Sequence, residues 1–358
     1  MPFYENPELA LNVLKVFGLG AFAFIVAFFL TPILTHFLYK YKLWRKEART
    51  KALDGWETPI FHQLHKERET TVPRFGGILI WITTLILSFL FYFLSNFTDI
   101  GLFNKLNFLS RSQTWLPLFT LVVASVVGFF DDFLQVFGRG KYIAGGMILS
   151  RRILIVFLIG LIGALWFYSK LEWRTIHIPL IGDFRIGILY VPFFVITMLA
   201  TYSGGVIDGL DGLAGGAFAS IFAAYGGIAL FRGQIDLATF CFVIVGAISA
   251  FLWFNIPPAR FYMSETGILG LTTTLTVVAF LTDSVIVLPI IGFLLVMESG
   301  SVILQLLSKK IRHKKIWLST PIHHHFEALG WPPYKVTMRF WVIGIVLAII
   351  GVAIRLLG

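Results

Sequence analysis

Only 13% of the 358 residues carry a formal charge, and only one is a cysteine. The first scarcity excludes an ordinary soluble domain, in which roughly a quarter of residues are charged. The second excludes an intramolecular disulfide and a cysteine-based metal cluster. Cys241 lies within an apolar run and reads as a packing residue. No GxxxxGK[S/T] phosphate loop occurs, which argues against an ATP-driven pump. No internal repeat is visible either, which counts against a repeat-built transporter.

Apolar length is abundant instead. The chain is 57% hydrophobic, and its apolar residues fall into blocks of about 20, the length that crosses a ~30 Å hydrocarbon core. Ten blocks are read: 14–39, 76–97, 113–130, 153–169, 186–202, 213–231, 237–254, 266–282, 284–307 and 340–356. They predict an all-α integral membrane protein, a bundle of about ten transmembrane helices in one polytopic domain over 1–358. The eighth block, starting near Thr266, is short for a span. The first is too long for a cleavable signal peptide and is read as a retained helix.

A net charge of +10 would suit nucleic acid, but its distribution points elsewhere. With the N-terminus outside, segments 40–74, 131–152, 203–212, 255–265 and 309–339 face inward and hold 21 of the 29 Lys and Arg. That asymmetry obeys the positive-inside rule with both termini outside. Topology and anionic membrane lipids account for the basic residues, so nucleic acid is not expected as a partner.

Four polar segments share this inner face. "GFFDDF" ends the third apolar block with Asp131 and Asp132. An acidic side chain at a helix centre costs roughly 2.5–3.5 kcal/mol on insertion scales, so the pair belongs at a boundary. Adjacent residues on a helix diverge, which suits one carboxylate turned to a substrate or ion and the other to a support. "DGLDGLAGG" places Asp208 and Asp211 at i, i+3 among glycines that allow close backbone approach. Its Gly212, Gly216, Ser220 and Ala224 repeat every fourth residue and read as a helix-packing stripe. "FLWFNIPPARFYMSETG" carries Asn255 before a Pro-Pro exit and Glu265 before the next apolar run, as a helix cap or a cation ligand. "STPIHHHFEALGW" carries His323, His324 and His325. Contiguous histidines on a helix diverge, so a zinc site within the triplet is disfavoured.

Five carboxylates at one membrane boundary suit Mg²⁺, a hard ion that prefers oxygen ligands and substrate phosphates. Lys66, Arg68, Arg74, Lys141, Arg151 and Arg152 lie in the same segments and can clamp a diphosphate. A lipid phosphate or lipid alcohol is the natural acceptor there. The other class weighed is a transporter or lipid flippase, for which Glu298, inside the ninth block, is the one clear midplane carboxylate.

"GFFDDF", "DGLDGLA", "FLWFN" and "PIHHHFEALGW" together resemble the polyprenyl-phosphate N-acetylhexosamine-1-phosphate transferases, from "VPRFGGILI" to "VTMRFW". The triple-histidine loop is most similar to the branch that transfers phospho-N-acetylmuramoyl-pentapeptide, with the GlcNAc-1-phosphate transferases as the alternative. The resemblance implies ten membrane helices, a cytoplasmic active site, commonly a homodimer, and residence in the bacterial inner membrane. It implies Mg²⁺-dependent transfer from UDP-MurNAc-pentapeptide to undecaprenyl phosphate, giving lipid I and UMP in peptidoglycan synthesis. By motif, Asp131, Asp132 and His324 are the catalytic residues. Asp208, Asp211, Asn255, Arg152, His323 and His325 bind substrate, and Glu265 with Asp208 holds the metal. The chain departs from the family pattern in four places. Tyr202, Ser203, Gly204 and Gly205 replace asparagines before DGLDG, and Gln135 replaces a lysine. Another expected lysine is missing near Thr70, with Arg68 a candidate substitute, and "MSETG" puts Glu265 where an aspartate is usual.

Overall fold

The computed structural model describes residues 7–48, 50, 57, 59–138, 140 and 146–358. Lys141 therefore lies outside the described residues. Among them are nine helical spans long and apolar enough to cross a membrane, and a tenth bent one. The first span, Glu8–Lys40, comprises α1 (Pro7–Val13), a π-helical turn and α2 (Leu19–Lys40). The short helix α3 (Pro59–Glu69) precedes the second span, α4 (Ile78–Phe97), and α5 (Gly101–Leu106) follows it. Next come α6 (Trp115–Phe137) and α7 (Leu149–Ser169). A two-stranded antiparallel hairpin, β1 (Thr175–Ile178) with β2 (Gly182–Arg185), pairs Ile176 with Phe184. Then follow α8 (Tyr190–Ser203), α9 (Leu213–Phe231), α10 (Ile235–Asn255) and α11 (Ser264–Leu281).

The ninth block corrects a simple expectation. It is not one straight helix: α12 (Leu288–Ile291) and α13 (Phe293–Arg312) meet at Gly292, and the span is bent there by 77°. The short α14 (Ile322–Ala328) and the last span, α15 (Pro333–Leu357), complete the chain.

The eighth block, weakest in sequence, is the centre of the bundle. Its helix α11 is the least apolar of the nine spans and the most enclosed, with 94% of its residues buried. A helix surrounded by protein has no need of a lipid-facing surface, so a threonine-rich sequence suffices. Thr272, Thr273, Thr276 and Thr282 donate their hydroxyls to carbonyls one turn back, which satisfies them without water. Small residues admit the neighbours. At Gly128 an added Cβ would lie 2.2 Å from the Glu265 carbonyl oxygen, so only glycine lets α6 rest on the first turn of α11. The predicted stripe on α9 does pack a helix: Gly216 lies against Trp341 of α15.

Both ends of the described chain lie at one end of the bundle. There the Lys15 ammonium donates to Asp236 at 2.6 Å, Asp283 accepts from the His177 backbone N–H, and the Gly358 carbonyl meets the His177 ring. The segments 41–48, 131–138, 203–212, 255–265 and 313–332 meet at the opposite end.

Candidate active site

The site is organised around the N-terminus of α11, whose first N–H groups have no partner within the helix. Two aspartates from distant segments accept them. Asp208, in the turn before α9, takes the Ser264 N–H at 2.8 Å. Asp132, at the end of α6, takes Thr266 N–H at 2.9 Å and Glu265 N–H at 3.3 Å. The positive end of the helix dipole favours both carboxylates. Glu265 is thus not the cap of its own helix. Its side chain instead reaches Arg152, with Nη1 to Oε1 at 2.6 Å.

Arg152 joins two of the candidate carboxylates, Asp131 and Glu265. Nη2 lies 3.1 Å from Asp131 Oδ2, Nε donates to the Met147 carbonyl at 3.1 Å, and Tyr202 lies beside the guanidinium. Asp131 is buried and further accepts from Gln135 at 2.7 Å and from the Met147 N–H. Gln135 in turn accepts from Arg45, which pairs with Glu69 at 2.6 Å. Asp132 is fully buried against Arg74, at 3.2 Å. The nearby carboxylates Asp132, Asp208, Glu265 and Glu69 raise the affinity of the Arg74 guanidinium for its proton.

The DGLDG segment is a turn rather than a helix, so its two aspartates do not share a helical face. Asp211 accepts from Arg68 at 2.5 Å and from the Ala259 N–H at 3.1 Å. Asn255 does not point into open space. Its carbonyl accepts the Gly212 N–H at 2.9 Å and its amide donates to Phe261 at 2.8 Å, tying the turn to the loop after α10. The left-handed φ of +77° at Gly212 makes that geometry available to glycine.

The histidine triplet divides as its contiguity demands. His323 meets Glu298 of α13, Nδ1 to Oε2 at 2.8 Å, both fully buried. His324 meets Glu327 at 2.6 Å, and His65 of α3 reaches the same Glu327 oxygen at 3.1 Å. His325 accepts from the Leu318 N–H within its own loop, away from the other two. Hydrogen bonds from both histidines keep Glu327 ionised, its carboxyl lowered to about 2. Burial and the neighbouring His323 lower His324 to about 3, leaving it neutral near pH 7. Gly209 of the DGLDG turn packs on this pair, since a Cβ there would lie 2.2 Å from His323 Nε2.

Glu298 therefore belongs to the site and not to an ion pathway at the midplane. Sequence reading left its partner unseen, although a signal was present. Glu298, Ser301, Gln305 and Ser308 form a buried polar stripe at helical spacing along α13. Through Gln305 to Ile316 and Trp317, and Ser308 to Lys314, the stripe holds the loop that delivers the histidines. His65 and Arg45 were also missed, because their partners lie tens to hundreds of residues away, and so was Glu327, although its partner His324 stands only three residues before it. Of the expected cations, Arg68, Arg74 and Arg152 join the cluster, whereas Lys66 and Arg151 are exposed.

The donor set fits a divalent ion. Asp131, Asp132, Asp208, Asp211 and Glu265 are carboxylates, against Arg68, Arg74 and Arg152, with Arg45 already matched by Glu69. The five carboxyl groups outnumber the three arginines, in a setting of oxygen ligands that suits Mg²⁺.

Residues 114–283 match the family model described as glycosyl transferase family 4. The chain is 34% identical over 337 residues to the phospho-N-acetylmuramoyl-pentapeptide-transferase of Geobacillus sp. (strain WCH70), covering 93% of this chain and 95% of that one. The chain belongs to this transferase family. The enzyme of that name from Levilactobacillus brevis is 34% identical over 83% of this chain and 87% of its own. The one from Chloroflexus aurantiacus is 34% identical over 88% and 85%. Membership removes the transporter alternative. The four departures from the family pattern acquire partners in the structure. Arg45 reaches Asp131 through Gln135, Arg68 reaches Asp211, and Tyr202 and Glu265 both meet Arg152.

Proposed function

We infer that the chain transfers phospho-N-acetylmuramoyl-pentapeptide from its UDP carrier to undecaprenyl phosphate, forming lipid I and releasing UMP. The observation that carries this reading is the convergence of Asp131, Asp132, Asp208 and Glu265 with Arg74 and Arg152 on the first turn of α11, at one end of a membrane bundle. A lipid phosphate reaches such a boundary without leaving the bilayer. In the reaction an oxygen of the lipid phosphate attacks the phosphorus that carries the sugar. The P–O bond to the nucleotide breaks, and UMP leaves with the bonding electrons.

Arg74 and Arg152 offer fixed positive charge to the diphosphate, which is where negative charge concentrates during transfer. Asp131 takes the proton of the lipid phosphate. Arg152, the Gln135 amide and the Met147 N–H fix its carboxyl in place for that purpose. Asp132 acts at one remove, holding Arg74 and α11 in place. Asp211 and Asn255 shape the turn that meets the nucleotide, and His323, His324 and His325 position the loop that meets the muramyl portion. Glu265 and Asp208 would hold Mg²⁺, which supplies charge neutralisation at the diphosphate oxygens. In this reading the site faces the cytoplasm of the bacterial inner membrane, both termini face outward, and the enzyme works as a homodimer.

The test is UMP release by purified protein given undecaprenyl phosphate, with UDP-MurNAc-pentapeptide or UDP-GlcNAc as donor. Release from the muramyl donor with formation of its lipid product supports the reading. Release from UDP-GlcNAc alone favours the GlcNAc-1-phosphate transferase instead. His324→Ala should lower turnover of the muramyl donor at least tenfold.

A further inference from the structure

His65, His324 and Glu327 bring one ligand atom each to within 4.8 Å of the others, the tightest such group at this end of the bundle among the described residues. The carboxylates around α11 do not form a group of three at that spacing. Two rigid elements supply the set. His324 and Glu327 stand at i, i+3 on α14 and so share a face, while His65 comes from α3. The two imidazoles meet edge to face, with ring centres 5.0 Å apart and planes at 63°, so both nitrogens can aim at one point without stacking. Their nitrogens lie 2.6 Å and 3.1 Å from a single oxygen, Glu327 Oε2.

We propose that His65, His324 and Glu327 form a site for a borderline divalent metal of the zinc class, separate from the Mg²⁺ carboxylates. Imidazole and carboxylate ligands suit Zn²⁺ and Co²⁺, whereas Mg²⁺ seeks oxygen alone. Zinc binds such ligands at about 2.0–2.2 Å, so tetrahedral neighbours stand about 3.3–3.5 Å apart. The two histidine–glutamate separations reach that spacing with movements of under about 1 Å. Two histidines and a glutamate leave a fourth position for water or an anionic oxygen.

The triplet's contiguity does not oppose this site. His323 is committed to Glu298 and His325 to its own loop, so one histidine of the three is a ligand. The others come from outside the triplet. Coordination also has a local consequence. In the metal-free arrangement the Nδ1–H of His324 can donate a hydrogen bond to the Glu327 carboxylate. A metal on Nδ1 requires that proton on Nε2, the nitrogen turned towards Gly209 of the DGLDG turn. The edge of His324 facing that turn then changes from acceptor to donor.

Tag-free, chelator-stripped protein is titrated with Co²⁺, and its visible absorption is followed. The expected result is the intense d–d spectrum of four-coordinate Co²⁺ saturating near one equivalent per chain. Zn²⁺ should abolish the spectrum, and a large excess of Mg²⁺ should leave it intact. His65→Asn and Glu327→Gln should each lose it while keeping the helical circular dichroism of the parent. His62→Asn, three residues from His65 on the same helix, should retain it. No such spectrum, or one that survives both His65→Asn and Glu327→Gln, would overturn the site and reduce the triad to hydrogen bonds. The readout does not use transfer activity, so its failure leaves the transferase reading untouched.

Discussion

The adjacent aspartates at the end of α6 do different work. Asp131 is shared among Arg152, Gln135 and a backbone N–H on the side facing α7. Asp132 closes the N-terminus of α11 and pairs with a buried arginine. Removing one member of a buried ion pair leaves the other uncompensated, which costs about 3–5 kcal/mol. Arg74 has further carboxylates nearby, so Asp132→Asn should cost about 2–3 kcal/mol, near or below the low end of that range. Thermal unfolding in detergent should therefore show a larger drop in Tm for Asp132→Asn than for Asp131→Asn. Asp131→Asn should lose UMP release by more than a hundredfold with the smaller change in Tm. Equal Tm values for the two would remove the division of labour. At this scale the sequence was legible for residue type and blind to pairing. "DDF" announces two carboxylates at a boundary, yet nothing local says that one of them caps a helix more than a hundred residues later.

At the scale of elements, apolar length located the spans and misjudged two of them. The ninth block breaks at Gly292, a single residue that hydropathy cannot weigh. The eighth seemed doubtful because span detection rewards contact with lipid, whereas α11 touches protein on nearly every side. Its close packing is testable. Gly128→Ala inserts a methyl group 2.2 Å from the Glu265 carbonyl, and such overpacking costs about 1–3 kcal/mol. It should also part Asp131 and Asp132 from Glu265, so Tm and turnover should fall together. Gly227→Ala on α9, where a Cβ meets nothing within 4 Å, serves as the control and should change neither. A harmless Gly128→Ala would mean that α6 and α11 do not rest on each other as described.

Across the whole molecule, nine spans and one bent helix pair put both ends of the described chain opposite the site, and the basic residues crowd the site's end. The expected sidedness follows from the excess of Lys and Arg there. Ser319→Cys, in the loop before α14, should react with a membrane-impermeant thiol reagent in inverted vesicles and stay unlabelled in intact cells. Labelling from outside the cell would reverse the orientation and separate the site from a cytosolic nucleotide donor. The likeness to the matched relatives covers most of the chain, which explains why four short motifs sufficed to find the site. The α13 stripe, His65 and Arg45 escaped because they support the motifs from elsewhere in the fold.

The central claim is that carboxylates gathered on the first turn of α11 hold Mg²⁺ for phosphoryl transfer, with Glu265 standing where the family usually has aspartate. It is tested most directly by titrating Mg²⁺ against UMP release for the parent protein and Glu265→Gln, with undecaprenyl phosphate and UDP-MurNAc-pentapeptide saturating. The substitution removes one charge and nearly preserves the shape. A Mg²⁺ requirement shifted upward by tenfold or more, with a lower plateau, is the predicted result. Superimposable curves would contradict the claim and leave Glu265 as no more than a partner for Arg152.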